Sequence, residues 1–211
     1  MFGKLSQVPA TVWTVVVVLA VLGAVLLGTR RQRLTARALA LGALCIALSF
    51  VLSCIRLYRM PQGGSITPAS MLPLIAFAFA YGAGPGMLVG LAYGLLQLLQ
   101  GADIVHPLQM LLDYPLAFAM VGLAGLARRL SARRGKGALA VGVVLATLGR
   151  LLCATLSGWV FFASYAPQGQ SPFLYSLVYN ASYLGPDALV CALLAMVPGV
   201  RQSVLRLAQK Q

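Results

Sequence analysis

The sequence contains no glutamate, and three aspartates supply all of its negative charge: Asp103, Asp113 and Asp187. Charged residues of both signs make up only 9% of the 211 residues, whereas soluble domains carry roughly 25%. Hydrophobic residues make up 60%. This balance excludes an ordinary soluble domain, and it predicts an all-α, polytopic membrane helix bundle that forms one domain.

The sequence also lacks the spacing of common metal and nucleotide sites. It has one histidine, His106, and four cysteines without CxxC or histidine-paired spacing, which we expect to be small buried hydrophobes. The stretch RRGKG, residues 133–137, lacks the GxxxxGK(S/T) pattern of a phosphate-binding loop. The sequence therefore predicts no metal site and no cofactor, and active transport by this chain needs energy from a partner protein or an ion gradient.

Seven apolar runs predict membrane spans. A span without tilt needs about 20 residues, and the third and fourth runs are short and divided by the turn YGAGPG, residues 81–86. Short runs with glycine and proline suit irregular backbone that is buried in protein or lines a cavity. The predicted spans are 8–28, 36–57, 66–81, 86–100, 107–127, 137–163 and 172–199.

Lysine and arginine predict the orientation of these spans. The net charge of +13 does not indicate nucleic-acid binding, because the basic residues cluster between apolar runs, as cytoplasmic loop charges do. Seven spans place three basic groups on one side, which predicts an N-terminus outside and a C-terminus in the cytoplasm. The first run is interpreted as a retained helix rather than a signal peptide, because TRRQR follows it where a cleavage site is expected. The three groups are Arg30, Arg31, Arg33 and Arg37; Arg128, Arg129, Arg133, Arg134 and Lys136; and Arg201, Arg206 and Lys210.

One acid interrupts an apolar run: Asp113 lies in HPLQMLLDYP, residues 106–115. The predicted topology places it roughly 10 Å below the outer surface, at 1.5 Å per residue. It is either a solvated helix-end carboxylate or a counter-charge for a cationic ligand. Two later spans carry aromatic and polar groups at similar depth, which is typical of a small-ligand pocket. The simpler alternatives are interfacial anchoring by the aromatic residues and an interhelical hydrogen bond by the asparagine. The residues are Gly158, Trp159, Phe161, Phe162, Tyr175, Tyr179, Asn180 and Tyr183.

Arg150 lies near the middle of the sixth span, where a charge costs about 2.5–3.5 kcal/mol and usually finds a partner. We expect it to pair with an acid. Asp187 matches it in depth, and a long arginine side chain can also extend towards Asp113. Such a pair either stabilises the bundle or orients Asp113 for a ligand. A structure in which Arg150 contacts neither acid, directly or through one water, contradicts the pairing.

Small residues recur at intervals of four along the second run, TARALALGALCIALS. Ridges of this kind let helices approach closely in lipid. They predict either packing inside the bundle or an interface with a partner protein. The pairs are Ala36 with Ala40, Ala38 with Gly42, and Ala43 with Ala47.

Five segments share their order and spacing with a known family: MPQGGSITPASMLPL (60–74), GLLQLLQG (94–101), VHPLQMLLDYPLAFAMVGLAGL (105–126), GRLLCATLSGW (149–159) and FFASYAPQGQSPFLYSLVYNASYLGP (161–186). In these segments the chain resembles the thiamine-specific substrate-binding subunits (S components) of energy-coupling factor (ECF) transporters. The resemblance implies a six-helix S-component core at 36–199. Residues 1–35 then form an extra N-terminal transmembrane helix with a basic linker, and 200–211 form a cytoplasmic tail.

The same resemblance implies a function and partners. A multi-pass protein of a prokaryotic plasma membrane captures thiamine from outside, and a transmembrane coupling subunit with two ATPase subunits drives its delivery across the membrane. The ridge Ala36, Ala40, Ala43 and Ala47 is implied to meet the coupling subunit.

The resemblance further implies roles for individual residues. A carboxylate in low dielectric compensates a fixed cation, aromatic faces stack on a flat ring, and an asparagine offers donor and acceptor to an aminopyrimidine edge. Three positions depart from the family pattern: Asp113 stands where glutamate is usual, Phe162 where tryptophan is usual, and Ala154 where histidine is common. They leave room for a related aminopyrimidine or thiazole compound. The implied site comprises Asp113 and Tyr114 at the thiazolium end, Phe162, Tyr175 and Asn180 around the aminopyrimidine, Gly158 leaving room for the ring, and Arg150.

Two other classes of protein are alternatives. An intramembrane enzyme can use Asp113 and His106 as acid and base, because they lie seven residues apart and can share a helix face. No nucleophile motif accompanies them, so the sequence favours a protein that is not an enzyme. A structural membrane subunit without a ligand is the other alternative.

Overall fold

The structure is a computed structural model of the chain, and it describes residues 15–16, 18–21, 23, 27, 34–128 and 137–209. This part of the chain consists of helices and one small antiparallel hairpin, β1 Tyr58–Arg59 with β2 Ser65–Ile66. By length and composition, α1, α4, α5 and α6 are long and apolar enough to cross a membrane, which confirms the predicted all-α polytopic fold. The helices are α1 Ala36–Cys54, α2 Leu72–Tyr81, α3 Ala83–Gln97, α4 Pro107–Ala127, α5 Ala138–Phe161, α6 Pro172–Met196 and α7 Pro198–Gln209.

Helix α1 packs on the bundle through one narrow face. Its N-terminus is capped by Thr35, whose hydroxyl accepts a hydrogen bond from the Ala38 backbone at 3.2 Å. Ala38 and Gly42 are buried, and a Cβ on Gly42 would lie 3.0 Å from Val89. One of the three predicted small-residue pairs therefore packs inside the bundle. The other two pairs lie on the exposed side of the helix: Ala36, Ala40, Ala43 and Ala47.

Helices α2 and α3 differ from the spans predicted at 66–81 and 86–100. The first begins only at Leu72, because residues 65–66 belong to the hairpin. Its 10 residues reach only about 15 Å, half the thickness of the hydrocarbon core. The turn expected over residues 81–86 contracts to Gly82, whose φ of 99° favours glycine, and α3 starts at the next residue. The short α2 is largely buried, as predicted for a broken run.

A stripe of glycines sets the distance between α3 and α4. Gly86, Gly90 and Gly94 recur every four residues, and a Cβ on Gly90 would lie 2.1 Å from the Phe118 carbonyl oxygen. Gly122 of α4 is equally close to α3, because a Cβ there would lie 2.4 Å from the Met87 backbone nitrogen. The two backbones touch, which is the packing that small residues permit in membranes.

Helix α4 changes its winding in the middle. Residues Leu112–Leu116 form a π-type turn around Pro115, in which the Ala117 N–H donates to the Leu112 carbonyl. Proline at this point lacks the N–H that a regular helix needs, and such π-turns frequently occur at functional sites. The turn contains Asp113 and Tyr114, so the irregular backbone coincides with the acid of interest.

The chain beyond α6 is helical, although residues 200–211 were predicted only as a tail. Helix α7 buries Val204 and Ala208 and packs against α2. Arg128, at the end of α4, donates to the carbonyls of Ala80 and Ala208 at 2.8 and 2.7 Å. A cation at the C-terminal ends of two helices stabilises both.

Most of the predicted first span, 8–28, lies outside the described residues, as do its basic linker and several of the charges used for orientation. The residues of that stretch that the structure describes are helical, and Val18 and Val21 pack in a cluster with Leu112 and Leu116. The number of spans and the orientation of the termini therefore remain predictions. The charges outside the description are Lys4, Arg30, Arg31, Arg33, Arg129, Arg133, Arg134, Lys136 and Lys210.

Candidate ligand-binding site

A cavity lies at the hairpin end of the bundle, between the hairpin, the loop 101–106 and helices α3 to α6. It brings together all the residues that the sequence singled out as substrate-binding. Polar side chains of α1 and α3 close the opposite wall. The predicted residues that line the cavity are Asp113, Tyr114, Arg150, Gly158, Phe162, Tyr175 and Asn180.

Asp113 faces this cavity from the π-turn of α4. Its Oδ2 accepts a hydrogen bond from the Gln109 side-chain amide at 2.6 Å. Gln109 is 1% exposed and lies one turn earlier on the same helix. The acid is therefore held in the protein interior and is not a solvated helix-end carboxylate.

Arg150 makes no direct ion pair with either acid, contrary to the direct pairing that was expected. Its Nη1 lies 3.1 Å from the Met71 sulfur, and its Cζ lies 4.2 Å from the ring centroid of Phe118. It lines the same cavity as Asp113 and Asp187, but each acid takes its hydrogen bonds from uncharged side chains. The guanidinium is instead accommodated by a polarisable sulfur and an aromatic face.

Asp187 is buried, at 2% exposure, and joins α6 to the segment after the hairpin. Its Oδ1 accepts hydrogen bonds from the Thr67 hydroxyl at 2.8 Å and the Thr67 backbone N–H at 3.4 Å. The Thr67 hydroxyl is also 2.7 Å from the Ser70 hydroxyl. These neutral donors replace the arginine that was expected to stabilise the carboxylate.

Two tyrosines of α6 form hydrogen bonds with the turn of the hairpin, which lies over the cavity. Tyr175 donates to the Gln62 side-chain oxygen at 2.9 Å. Tyr179 accepts from the Gln62 backbone N–H at 2.9 Å and donates to the Gly63 carbonyl at 3.0 Å. The hairpin turn therefore lies against the cavity, and Tyr179 contributes hydrogen bonds to it.

Asn180 is committed to contacts inside the protein. Its Nδ2 donates to the carbonyls of Ser176 and Ala154, at 2.9 and 3.2 Å, and its Oδ1 accepts from the Tyr183 hydroxyl at 2.8 Å. The structure therefore favours the simpler alternative, an interhelical hydrogen bond, over a free donor and acceptor pair. Asn180 still lines the cavity.

Gly158 also has a different role from the expected one. A Cβ there would lie 2.1 Å from the Ser176 hydroxyl, so the missing side chain lets α5 and α6 approach. The direct effect of Gly158 is therefore on helix packing, and not on the space available to a ligand ring. Beside it, Ser157 is fully buried, lines the cavity, and has a hydroxyl without a hydrogen-bond partner among the described residues.

The aromatic residues near the end of α5 separate into two groups. Phe162 lines the cavity and lies 6.0 Å from Tyr165, between ring centroids. Trp159 packs edge-on against Phe173 at 5.5 Å and is not part of the cavity wall. Trp159 therefore does not substitute for the tryptophan that is usual at the Phe162 position, and it behaves as the packing residue that the sequence allowed.

His106 lies outside the cavity wall, which removes the geometric basis of the enzyme alternative. Its Nδ1 accepts a hydrogen bond from the Leu108 backbone at 3.1 Å, so it caps its own helix. Its ring stacks on Phe161 at 5.0 Å. Asp113 lines the cavity and His106 does not, so the structure does not place the two in one pocket.

Sequence reasoning missed the glutamines that shape this site. Besides Gln109 and Gln62, these include Gln97, which donates to the hydroxyls of Ser53 and Tyr93 in the cavity wall. Gln100, in the short turn that follows α3, also donates to the Ser53 hydroxyl, at 2.7 Å. The sequence pattern that could have identified most of them is an uncharged polar side chain within an apolar run, as in HPLQMLLD and GLLQLLQ. Such side chains need hydrogen-bond partners at membrane depth.

Three known proteins resemble this chain. The thiamine transporter ThiT of Bacillus subtilis is 41% identical over 143 residues, which are 64% of this chain and 74% of that protein. The thiamine transporter ThiT of Lacticaseibacillus paracasei is 32% identical over 139 residues, 60% of this chain and 67% of that protein. A solved structure of ThiT from Listeria monocytogenes has a TM-score of 0.69 at 26% identity, covering 81% of this chain and 96% of that chain.

The thiamine transporter protein family (Thia_YuaJ) matches residues 39–206. This match covers most of the 211 residues and includes every described wall of the cavity. The resemblance drawn from the sequence is thereby confirmed, and the chain belongs to the thiamine transporter protein family.

Proposed function

We propose that this chain is the membrane-embedded thiamine-binding subunit of an ECF-type uptake transporter. The observation that carries the proposal is the position of Asp113, which faces a cavity that has aromatic walls. Membership in the thiamine transporter protein family supports transport, rather than catalysis, as the activity of the site.

The buried charges of the cavity suit a ligand with one positive charge. Asp113 and Asp187 contribute two negative charges and Arg150 one positive charge, which leaves one negative charge without a counter-ion in the wall. The thiazolium ring of thiamine carries one fixed positive charge. The exposed mouth of the cavity adds Arg56, Arg59 and Asp103, whose charges are screened by solvent and weigh less in this balance.

The wall also offers flat surfaces to a flat ligand. Tyr114, Phe162 and Tyr175 line the cavity from three different segments of the chain. Aromatic faces attract cations and stack on heteroaromatic rings, each contact contributing about 0.5–2 kcal/mol. We assign the thiazolium to the neighbourhood of Asp113 and Tyr114, and the aminopyrimidine to Phe162 and Tyr175.

Coupling and orientation are further parts of the proposal. The ridge of Ala36, Ala40, Ala43 and Ala47 is exposed in this chain, so it is available to a transmembrane coupling subunit served by two ATPases. The hairpin end faces outward in a prokaryotic plasma membrane, and α7 with its basic residues faces the cytoplasm.

The test is a calorimetric titration of the purified protein with thiamine and with an uncharged analogue in which a thiophene ring replaces the thiazolium. We expect saturable, one-to-one binding of thiamine. Asp113→Asn should weaken thiamine roughly ten- to hundredfold, the range of a charge-assisted interaction, and should weaken the analogue much less. Equal losses for the two ligands would remove the charge role from Asp113.

A related aminopyrimidine or thiazole compound is the second candidate ligand. The engagement of Asn180 with Tyr183 and Ala154 favours the thiazole compound, because this amide is not free to recognise an aminopyrimidine edge. Titration with the separate pyrimidine and thiazolium fragments distinguishes the candidates. Thiamine as ligand predicts that both fragments bind more weakly than the whole molecule.

A further inference from the structure

Gln109 makes three hydrogen bonds with one buried side chain. Its Nε2 donates to Asp113 Oδ2 at 2.6 Å and to the Asp103 carbonyl at 3.0 Å. Its Oε1 accepts from the Val105 backbone N–H at 3.1 Å. The side chain is 1% exposed, so its amide atoms are engaged without help from bulk water.

These contacts determine the orientation of the amide. The Val105 N–H is a donor, so the oxygen of the Gln109 amide must lie on that side. The Asp103 carbonyl and the Asp113 carboxylate are acceptors, so the NH2 group must lie on the other side. Exchanging the two ends of the amide would set donor against donor at Val105 and acceptor against acceptor at Asp113. The hydrogen-bonding pattern therefore permits only one orientation.

The acid that this amide holds has a short side chain in an irregular stretch of helix. Asp113 lies in the π-turn Leu112–Leu116, where the helix ladder does not fix its backbone as firmly as in a regular turn. Oδ2 is bonded to Gln109, and Oδ1 has no hydrogen bond from the described residues. The direction of the free oxygen thus depends on the glutamine.

The other two bonds anchor the glutamine to the loop 101–106. Asp103 lies on this loop and lines the cavity mouth, and a Cβ on Gly63 of the hairpin would lie 3.6 Å from its carboxylate. The loop backbone therefore sets the position of the Gln109 amide, and the amide sets the position of the Asp113 carboxylate.

We propose that Gln109 is a positioning residue for ligand binding, which fixes the Asp113 carboxylate against the outer loop and so aims its free oxygen at a cationic ligand. This inference rests on the proposed thiamine function. Gln109 also lines the cavity, but its amide atoms are already engaged, so it acts on the ligand through Asp113.

A double-mutant cycle tests the proposal, with thiamine dissociation constants measured for four proteins: the natural chain, Gln109→Met, Asp113→Asn and the double variant. Methionine keeps the length and volume of the side chain but removes its amide. We expect Gln109→Met to weaken thiamine about three- to tenfold in the natural background, as for the loss of one oriented hydrogen bond. In the Asp113→Asn background, which has no charge to aim, the effect should fall below about twofold.

A matched control uses Gln97→Met, since Gln97 also lines the cavity but bonds to Ser53 and Tyr93 instead of Asp113. Its effect should be the same in both backgrounds. Gln109→Asn, which keeps the amide but cannot span all three partners, provides a second variant and should depend on Asp113 in the same way. The uncharged thiophene analogue should respond little to either Gln109 change.

The outcomes separate the two proposals. Suppose that thiamine binds, that Asp113→Asn weakens thiamine selectively, and that Gln109→Met weakens binding by the same factor in both backgrounds. Gln109 then has only a structural role. This inference is overturned, while the proposed function stands. If the natural chain does not bind thiamine, or Asp113→Asn leaves thiamine binding unchanged, the proposed counter-charge fails and the role of Gln109 fails with it.

Discussion

The guanidinium of Arg150 lies over the ring of Phe118, with Cζ 4.2 Å from the ring centroid. Its Nη1 is 3.1 Å from the Met71 sulfur. An arginine within a membrane span is thus held by an aromatic face and a thioether, although two acids line the same cavity. A planar guanidinium stacks on a ring, whereas an ammonium group behaves as a compact point charge.

This relationship predicts energetic coupling between Arg150 and Phe118. Arg150→Lys keeps the charge but loses the stacking, and should lower the free energy of unfolding by about 0.5–2 kcal/mol. Phe118→Leu should remove the same interaction from the other side. The double variant should therefore lose less than the sum of the single losses, as measured by thermal unfolding in detergent.

A matched cycle with Phe79→Leu provides the control for that measurement. Phe79 is fully buried in the main core and is not the aromatic partner of Arg150. Losses from Arg150→Lys and Phe79→Leu should add. Strict additivity for Arg150 with Phe118 as well would show that the stacking contributes no stability.

The membrane class and several of the cavity residues were predictable from the sequence, because they follow from composition, local pattern and family motifs. Asp113 was noticed because an acid in an apolar run is rare, and family motifs located Tyr175 and Phe162. All three line one cavity in the structure. The depth of a residue in the membrane follows from its position along its helix. Similar depths were enough to predict that these three residues belong to one site.

Hydrogen-bond partners were not predictable in the same way, because they depend on the rotation and spacing of neighbouring helices. Asn180 meets the Ala154 carbonyl only because Gly158 lets α5 and α6 approach closely. Arg150 was assigned an acid by charge alone, yet the packing places Phe118 and Met71 beside it. Such details require the three-dimensional register, which one sequence does not contain.

The contact between α3 and α4 predicts a second result, at Gly94. A Cβ there would lie 2.5 Å from the Tyr114 carbonyl oxygen and 2.7 Å from the Pro115 Cα, within the turn that contains Asp113. Gly94→Ala should therefore displace that turn, lower the free energy of unfolding by about 1–3 kcal/mol, and weaken thiamine binding. Thermal unfolding and titration measure the two effects.

Gly185→Ala is the control for the Gly94 substitution. Gly185 also lies within a helix, but a Cβ there meets no atom within 4 Å. Alanine should be neutral at this position, or stabilising by up to about 1 kcal/mol, since it has the higher helix propensity. If both substitutions destabilise equally, the close approach of the backbones is not the cause.

The fastening of the hairpin predicts a kinetic effect at Tyr179. Tyr179→Phe keeps the ring but removes the hydrogen bonds to the Gln62 N–H and the Gly63 carbonyl. If the hairpin covers the bound ligand, release of the ligand should become up to about thirtyfold faster, because two hydrogen bonds worth roughly 1 kcal/mol each are lost. Chase of labelled thiamine from the detergent-solubilised protein measures the rate.

Tyr165→Phe serves as the comparison for that rate, since Tyr165 is an exposed tyrosine near the same end of the bundle. It should leave the dissociation rate unchanged. An unchanged rate in Tyr179→Phe as well would mean that these hydrogen bonds do not hold the ligand in place.

The exposed ridge of α1 predicts a separation of binding from uptake. Ala40 and Ala43 lie on the side of the helix opposite the buried Ala38 and Gly42, so a larger side chain there projects away from the described part of the bundle. Ala40→Trp should therefore leave the thiamine dissociation constant of the isolated protein within about twofold. If the ridge seats a coupling subunit, the same change should abolish uptake by cells, because a tryptophan prevents the close approach that small residues allow.

A tryptophan placed elsewhere on α1 distinguishes a lost interface from general damage. Leu48 is 50% exposed and lies away from the alanine ridge, so Leu48→Trp adds similar bulk to a different part of the helix surface. It should preserve both binding and uptake. The interface assignment is contradicted if Ala40→Trp supports normal uptake, or if both tryptophans reduce uptake equally while binding is intact.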